Sequence, residues 1–172
     1  MKNYSGVLSR GIRQLRNNNW RLFFIILVVV VAGTLIPRHI GIILTPSLAH
    51  RLFWVSKEPE HVGRGDYVCF EDAELARKVG KPEHPNIFKI IRCDEGDTLI
   101  VDEEKQFSCN GEFLGVAKDY SLKGEKMQYF VFNGKIPPGF MFVMGEHKDS
   151  YDSRYFGLKE KIRVRAKLYP IF

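Results

Sequence analysis

Leu22 to Ile36, LFFIILVVVVAGTLI, is an uncharged run set among Lys2, Arg10, Arg13, Arg16, Arg21 and Arg38, with no acid anywhere in the first 38 residues. Its fifteen residues reach about 22 Å as a helix, short of a hydrocarbon core roughly 30 Å thick. Trp20 at one interface, a snorkelling Arg21, and Pro37 with the apolar Ile40 to Leu44 lengthen the buried stretch. The pattern therefore predicts a single transmembrane helix over residues 22–37, preceded by a basic cytoplasmic leader over 1–21. A cleaved signal peptide is the rival, but Gly33, Thr34, Leu35, Ile36 and Pro37 follow Ala32 where a small-x-small site would stand. The cation excess before the run predicts a cytoplasmic N-terminus at the inner membrane. Residues 38–172 then form one extracytoplasmic, periplasmic domain touching the lipid bilayer.

The charge balance sharpens this. The whole chain has 26 Lys and Arg against 20 Asp and Glu, and removing the six cations of residues 1–38 leaves 20 against 20. The body is neutral, so no basic face for nucleic acid is read there. A hydrophobic share of 45% over 172 residues is enough to bury a core within one domain.

After the apolar run the sequence alternates short β-patterned segments with turns. Strands are predicted over 67–70, 86–93, 98–101, 106–109, 127–132, 140–144 and 162–168. Turns are predicted at GRGD (63–66), DEGD (94–97), NGE (110–112), NGK (133–135) and PPG (137–139). Asp72 is placed to cap one small helix that ends at Val79 and stops at Gly80. The expected fold is mainly β: a transmembrane helix followed by an antiparallel β domain with one small helix. Cys69, Cys93 and Cys109 permit one disulfide in an oxidising compartment without fixing the pair. Neither they nor the five scattered histidines show a metal-site spacing, and no cofactor motif is present.

Three segments carry chemistry. In NIFKIIRC, period-two alternation puts Lys89 on a face with Ile87, Ile91 and Cys93. A lysine there snorkels, guards an edge, or is desolvated so that its ammonium loses a proton readily. GEHKDSYDSRYFG, residues 145–157, gathers Asp149, Ser150, Asp152, Ser153 and Arg154 directly after the apolar strand FMFVM. As a turn, its Asp and Ser residues cap backbone groups and Asp152 pairs with Arg154. TPSLAHRLFW, residues 45–54, places Ser47 ten residues beyond Pro37. Its Leu52, Phe53 and Trp54 suit either the core or the bilayer surface.

Together these segments resemble type I signal peptidases, and more closely the TraF-type peptidases of bacterial conjugative transfer systems. The order is the same: anchor, serine segment, lysine strand, then a terminal DSRYFG-like segment. Ser47-Leu48 stands where the family has its nucleophile and an apolar residue. RGDYVCF is similar to the family's Gly-Asp strand, and FKIIRCDEGD to its lysine strand, with Gly96 and Asp97 seven and eight residues beyond Lys89. SYDSRYFG is the most specific piece. The helix and Pro-containing loop after Phe70, the PPG turn before FMFVMGE and the closing basic strand also look like the TraF type. Two departures stand out: Ala49, His50 and Arg51 replace the usual proline after the serine, and DEGD replaces LPGD.

The resemblance implies a Ser/Lys-dyad serine endopeptidase, with Ser47 the nucleophile and Lys89 its base. It implies an oxyanion role for Thr45 and support roles for Ser150, Asp152 and Arg154. Its substrates would be precursors with signal peptides or pilin-like precursors, bound as an added strand at a sheet edge and cut at an Ala-x-Ala-like site. Transfer or secretion apparatus components would be partners. The alternatives are a housekeeping type I signal peptidase and a catalytically silent, membrane-anchored β scaffold. Ser47, His147 and Asp152 also permit a Ser/His/Asp triad, since triads are set by geometry and not by chain order.

Overall fold

A computed structural model describes residues 20–34, 39–43, 48–78, 80 and 82–172. Residues 20–34 form helix α1. Among the described residues, no helix is long and apolar enough to cross a membrane. The structure therefore does not support the spanning helix expected over 22–37: fifteen helical residues rise only about 22 Å, and residues 35–37 lie outside the described ones. The leader expected over 1–21 also falls outside them, except for Trp20 and Arg21. The chain divides into two compact units, Met1–Ile40 and Gly41–Phe172.

The second unit is built from antiparallel strands. In chain order they are β1 (Ile40–Ile42), β2 (Leu52–Lys57), β3 (Tyr67–Glu71), β4 (Asn86–Cys93), β5 (Thr98–Val101), β6 (Gln106–Cys109), β7 (Glu112–Val116), β8 (Gly134–Lys135), β9 (Phe140–Met144), β10 (Lys159–Glu160) and β11 (Val164–Pro170). Helices α2 (Ala73–Lys78) and α3 (Ser153–Phe156) interrupt them. One sheet has seven strands in the order β1-β2-β11-β3-β4-β9-β10, and the other has four, β7-β6-β5-β8.

The large sheet is covered on both faces. In β3 the alternation is direct: Val68 and Phe70 enter a cluster with Leu75, Ile91, Met141 and Val143, while Cys69 joins Ile43, Leu48, Phe53, Ala166 and Leu168. A third cluster joins the two sheets, with Cys93, Phe142 and Met144 meeting Leu99, Val101, Phe107 and Cys109. Burial on both faces explains why β4 reads as a nearly continuous apolar run.

The strands predicted over 86–93, 98–101, 106–109 and 140–144 form with those bounds, and the one over 67–70 gains Glu71. The last begins two residues late because Lys161–Arg163 make a 3-10 turn. Residues 127–132 are not a strand. There the Phe130 N–H donates to the Arg154 carbonyl at 2.8 Å, and Tyr129, Phe130 and Phe132 pack on the inter-sheet cluster. Apolar alternation in this stretch serves packing without a partner strand. Asp72 caps α2 as expected, accepting the Leu75 N–H at 2.9 Å. The expected end at Val79 lies outside the described residues, while the Gly80 N–H closes on the Arg77 carbonyl.

Candidate active site

Lys89 sits in the middle of β4, opposite Val68 of β3, and is only 4% exposed. Its Nζ donates to Ser150 Oγ at 2.9 Å, and Ser150 is itself buried. Ser150 is brought there by a turn after β9 in which its N–H donates to the His147 carbonyl at 2.9 Å.

The rest of this segment is held by a buried ion pair. Arg154 Nε donates to Asp152 Oδ1 and Nη2 to Oδ2, each at 2.8 Å, a two-pronged geometry that suits a planar guanidinium. The same carboxylate accepts the Gly145 N–H at 3.1 Å and the Arg154 N–H at 3.2 Å, capping α3. Arg154 Nη1 reaches the Val116 carbonyl at 2.9 Å and Nη2 the Ser150 carbonyl at 3.3 Å. Burial works against the guanidinium's charge, but the Asp152 hydrogen bonds and negative charge outweigh it and raise its pKa. Ser153 ties the segment to β9, its Oγ accepting the Val143 N–H at 3.0 Å. Gly115, beside Met144 and Arg154, has a φ of +149°, a conformation that strains any residue with a side chain.

This arrangement corrects the triad alternative. Asp152 is engaged by Arg154 and backbone amides, whereas His147 is exposed, and its Nδ1 accepts the Asp149 N–H at 3.2 Å. The carboxylate beside His147 is that of Asp149, which pairs with Lys118. That pairing holds the Asp149 pKa below the ordinary carboxylate value.

Thr45 and Ser47 lie outside the described residues, but the chain on either side of them is anchored. Ile43 is buried and its N–H donates to the Arg51 carbonyl at 2.8 Å. Leu48 is buried in the same cluster. The Ala49 N–H donates to Glu146 Oε2 at 2.8 Å, and the Tyr67 hydroxyl donates to Glu146 Oε1 at 2.9 Å. Burial, followed by the Glu146 hydrogen bond and charge, pushes the Tyr67 phenol up to about 12. Glu146 and Gly115 are the site residues whose jobs sequence reasoning missed. Glu146 stands two residues beyond the core strand, a place that by itself assigns it no partner.

The disulfide left open by the sequence joins Cys93, at the end of β4, to Cys109, at the end of β6. Cys69 is free and buried, and burial pushes its thiol up to about 11, the behaviour of a small apolar side chain. Cys93, Asp97 and Cys109 also form a cluster of potential metal donors, but the two sulfurs are bonded to each other. Asp97 instead builds the turn, accepting the Asp94 N–H at 2.9 Å and the Asn110 amide at 2.7 Å.

The geometry is thus that of a buried lysine hydrogen-bonded to a serine hydroxyl, beside a braced Asp-Ser-Arg segment. Residues 16–171 match the family model described as signal peptidase, peptidase S26, and the chain belongs to that family. It is a serine-type signal peptidase, a hydrolase whose family acts on precursors carrying signal peptides. No curated protein sequence matches the chain. Among solved structures it is similar to a signal peptidase I from Enterococcus faecalis V583. The two share 23% identity, with 61% of this chain and 94% of that one covered and a TM-score of 0.39.

Proposed function

We propose that this chain is a membrane-anchored Ser/Lys-dyad endopeptidase that removes signal peptides from secreted or pilin-like precursors of a conjugative transfer or secretion system. The observation that carries the dyad is the buried Lys89 amine of β4, held at 2.9 Å from Ser150 Oγ. Serine is a weak nucleophile until a neighbouring base takes its proton, and a lysine can do so only as the neutral amine. Burial favours that form because desolvation penalises the ammonium.

Ser47 Oγ attacks the scissile carbonyl while Lys89 takes the hydroxyl proton. The tetrahedral oxyanion is met by the Ser47 N–H and the Thr45 hydroxyl. Lys89 then passes the proton to the leaving amine. In the second half a water gives its proton to Lys89 and attacks the acyl-enzyme, and the returning proton restores Ser47. Ser150 orients the amine, and Asp152 with Arg154 braces the loop that holds Ser150.

The anchor rests on the uncharged run with its asymmetric cations, as does the orientation that places residues 38–172 in the periplasm. The Cys93–Cys109 disulfide supports an oxidising compartment. The match to the conjugative type rests on SYDSRYFG, the α2 and proline loop, and the basic closing strand.

Cleavage of a signal-peptide-bearing precursor by the full chain, beside Ser47→Ala, Lys89→Ala and Lys89→Arg, tests the reading. All three variants are expected to fold and to lose cleavage by at least about a thousandfold, since nucleophile and base act as one unit. Wild-type activity should rise from neutral to alkaline pH as Lys89 loses its proton. Substantial cleavage by folded Lys89→Arg would return Lys89 to an ion-pair or edge-guarding role, because arginine keeps the charge but cannot serve as a neutral base.

A further inference from the structure

The two halves of the site come from distant parts of the chain, and one carboxylate bonds to a neighbour of each. Glu146 stands two residues after the end of β9, and its two oxygens face two donors of different origin. Oε2 takes the Ala49 N–H, 97 residues away in sequence, at 2.8 Å. Oε1 takes the Tyr67 hydroxyl at 2.9 Å. Tyr67 opens β3 and lies opposite Ile90 of β4, the residue after Lys89. Two residues of chain span at most about 7 Å, so whatever fixes Ala49 also restricts where Ser47 can be. The ring of Tyr67 is in turn set by Phe53, at 5.5 Å between centroids, and by His50, edge-on at 6.1 Å.

We propose that Glu146 is a positioning residue: its carboxylate holds the Ala49 amide against the strands that carry Lys89, and Tyr67 fixes the carboxylate's direction. This rests on the Ser47/Lys89 reading above and adds a residue that acts through the serine segment. Leu48 secures the segment by burial, which fixes depth in the core. Glu146 adds a directional bond one residue later, which fixes register. Ala49, His50 and Arg51 follow Leu48 in this chain. A proline has no N–H, whereas Ala49 has the donor that Glu146 uses.

The chemistry separates positioning from bulk stability. Glu146→Ala removes both acceptors. Glu146→Gln keeps an oxygen for the Ala49 N–H, and its amide donates to the Tyr67 oxygen, which can accept. Tyr67→Phe leaves the Ala49 bond but frees the carboxylate to rotate. Small misplacements of a reacting group cost about ten- to a hundredfold in rate, and they act on kcat because substrate binding is untouched.

The experiment uses the full-length, detergent-solubilised chain and an internally quenched peptide with an Ala-x-Ala junction, with thermal unfolding recorded for every variant. Glu146→Ala is expected to lose about tenfold or more in kcat with KM within about twofold, Glu146→Gln to recover most of it, and Tyr67→Phe to lose about threefold. Wild-type kcat in folded Glu146→Ala, beside inactive Ser47→Ala and Lys89→Ala, would overturn the positioning role and leave the dyad standing. A loss confined to KM, or one that glutamine does not restore, would overturn it equally. Activity in Ser47→Ala would sink the dyad itself, and the positioning role with it. If Glu146→Ala does not fold, Tyr67→Phe and Glu146→Gln decide: unchanged kcat in Tyr67→Phe overturns the proposal, and a fall in Tyr67→Phe with activity kept in Glu146→Gln upholds it.

Discussion

In the seven-stranded sheet, polar and charged side chains are buried along with the apolar ones: Lys89 on β4, Asp72 after β3, and Ser150, Asp152, Ser153 and Arg154 after β9. The four-stranded sheet buries Leu99, Val101, Phe107 and Cys109 on one face and leaves Ile100 45% and Phe113 59% exposed on the other. Among the described residues it buries no polar side chain. The large sheet can hold polar groups in its interior because each finds hydrogen-bond partners, which offsets the cost of removing it from water. The small sheet is joined to it by apolar packing, by one disulfide and by the hydrogen bond from Arg154 to the Val116 carbonyl. Chemistry is thus concentrated where polar burial is most completely compensated.

The sharpest way to break that contrast is to leave a buried charge without its partner. Asp152→Ala or Arg154→Ala should each cost about 3 to 5 kcal/mol, since the survivor stays buried beside the core. The double variant should cost much less than the sum of the two, and urea unfolding of all four proteins measures the coupling. Arg154 also holds the Val116 carbonyl at the end of β7, so its loss should loosen the small sheet as well. Additive single effects would mean that the pair is not the unit drawn here.

The disulfide tests the other side of the comparison. It closes a loop with a sequence separation of 16, for which loop-closure entropy gives about 3 kcal/mol. Cys93→Ala with Cys109→Ala should lower stability by that order, and amide hydrogen exchange should locate the effect. Amides of β5, β6 and β7 are expected to lose protection first, while β3, β4 and β9 keep theirs. Uniform loss across both sheets would show that they open as one unit.

How much of this was legible in the sequence follows the same division. Strands β4, β5, β6 and β9 were read with the bounds they have, because each is a compact apolar run between turn residues. The segment 127–132 had the same alternation without a ladder, since its aromatics pack on the inter-sheet cluster and its backbone bonds to α3 and a loop. Periodicity reports a buried face, and it does not report a partner strand. Strands β1, β8 and β10 escape the pattern because they have only two or three residues, β7 because its first residue, Glu112, reads as part of the NGE turn and Gly115 interrupts it, and β2 because LFW reads with the serine segment. In the site, the Asp152 and Arg154 pairing was legible from their spacing, and Ser150 beside Lys89 only through resemblance. Glu146 was not legible at all, because its partners lie 97 and 79 residues away and one of them is a backbone amide.

The smallest effect belongs to Asp72, a buried polar group of the large sheet with a purely structural job. Asp72 accepts the Leu75 N–H at 2.9 Å and the Lys159 ammonium at 2.6 Å. Burial acts to raise its pKa, but the Lys159 hydrogen bond, the Leu75 amide and the neighbouring positive charges outweigh it, so the carboxyl is held below its ordinary 3.8. A carboxyl whose folded pKa is depressed adds stability above its unfolded value, and that stability is lost as pH falls through the folded value. Asp72→Ala should therefore cost about 1 kcal/mol at neutral pH through loss of the helix cap. Asp72→Asn should cost less, because its oxygen still accepts the Leu75 N–H while only the charge facing Lys159 is gone. The gap between wild type and Asp72→Asn should be constant above about pH 5 and shrink below about pH 4, as the wild-type carboxylate takes up a proton. Urea midpoints measured from pH 7 down to the acid limit of folding read this directly. A gap that persists undiminished into acid would show that shape, and not the charge pair with Lys159, is what Asp72 contributes.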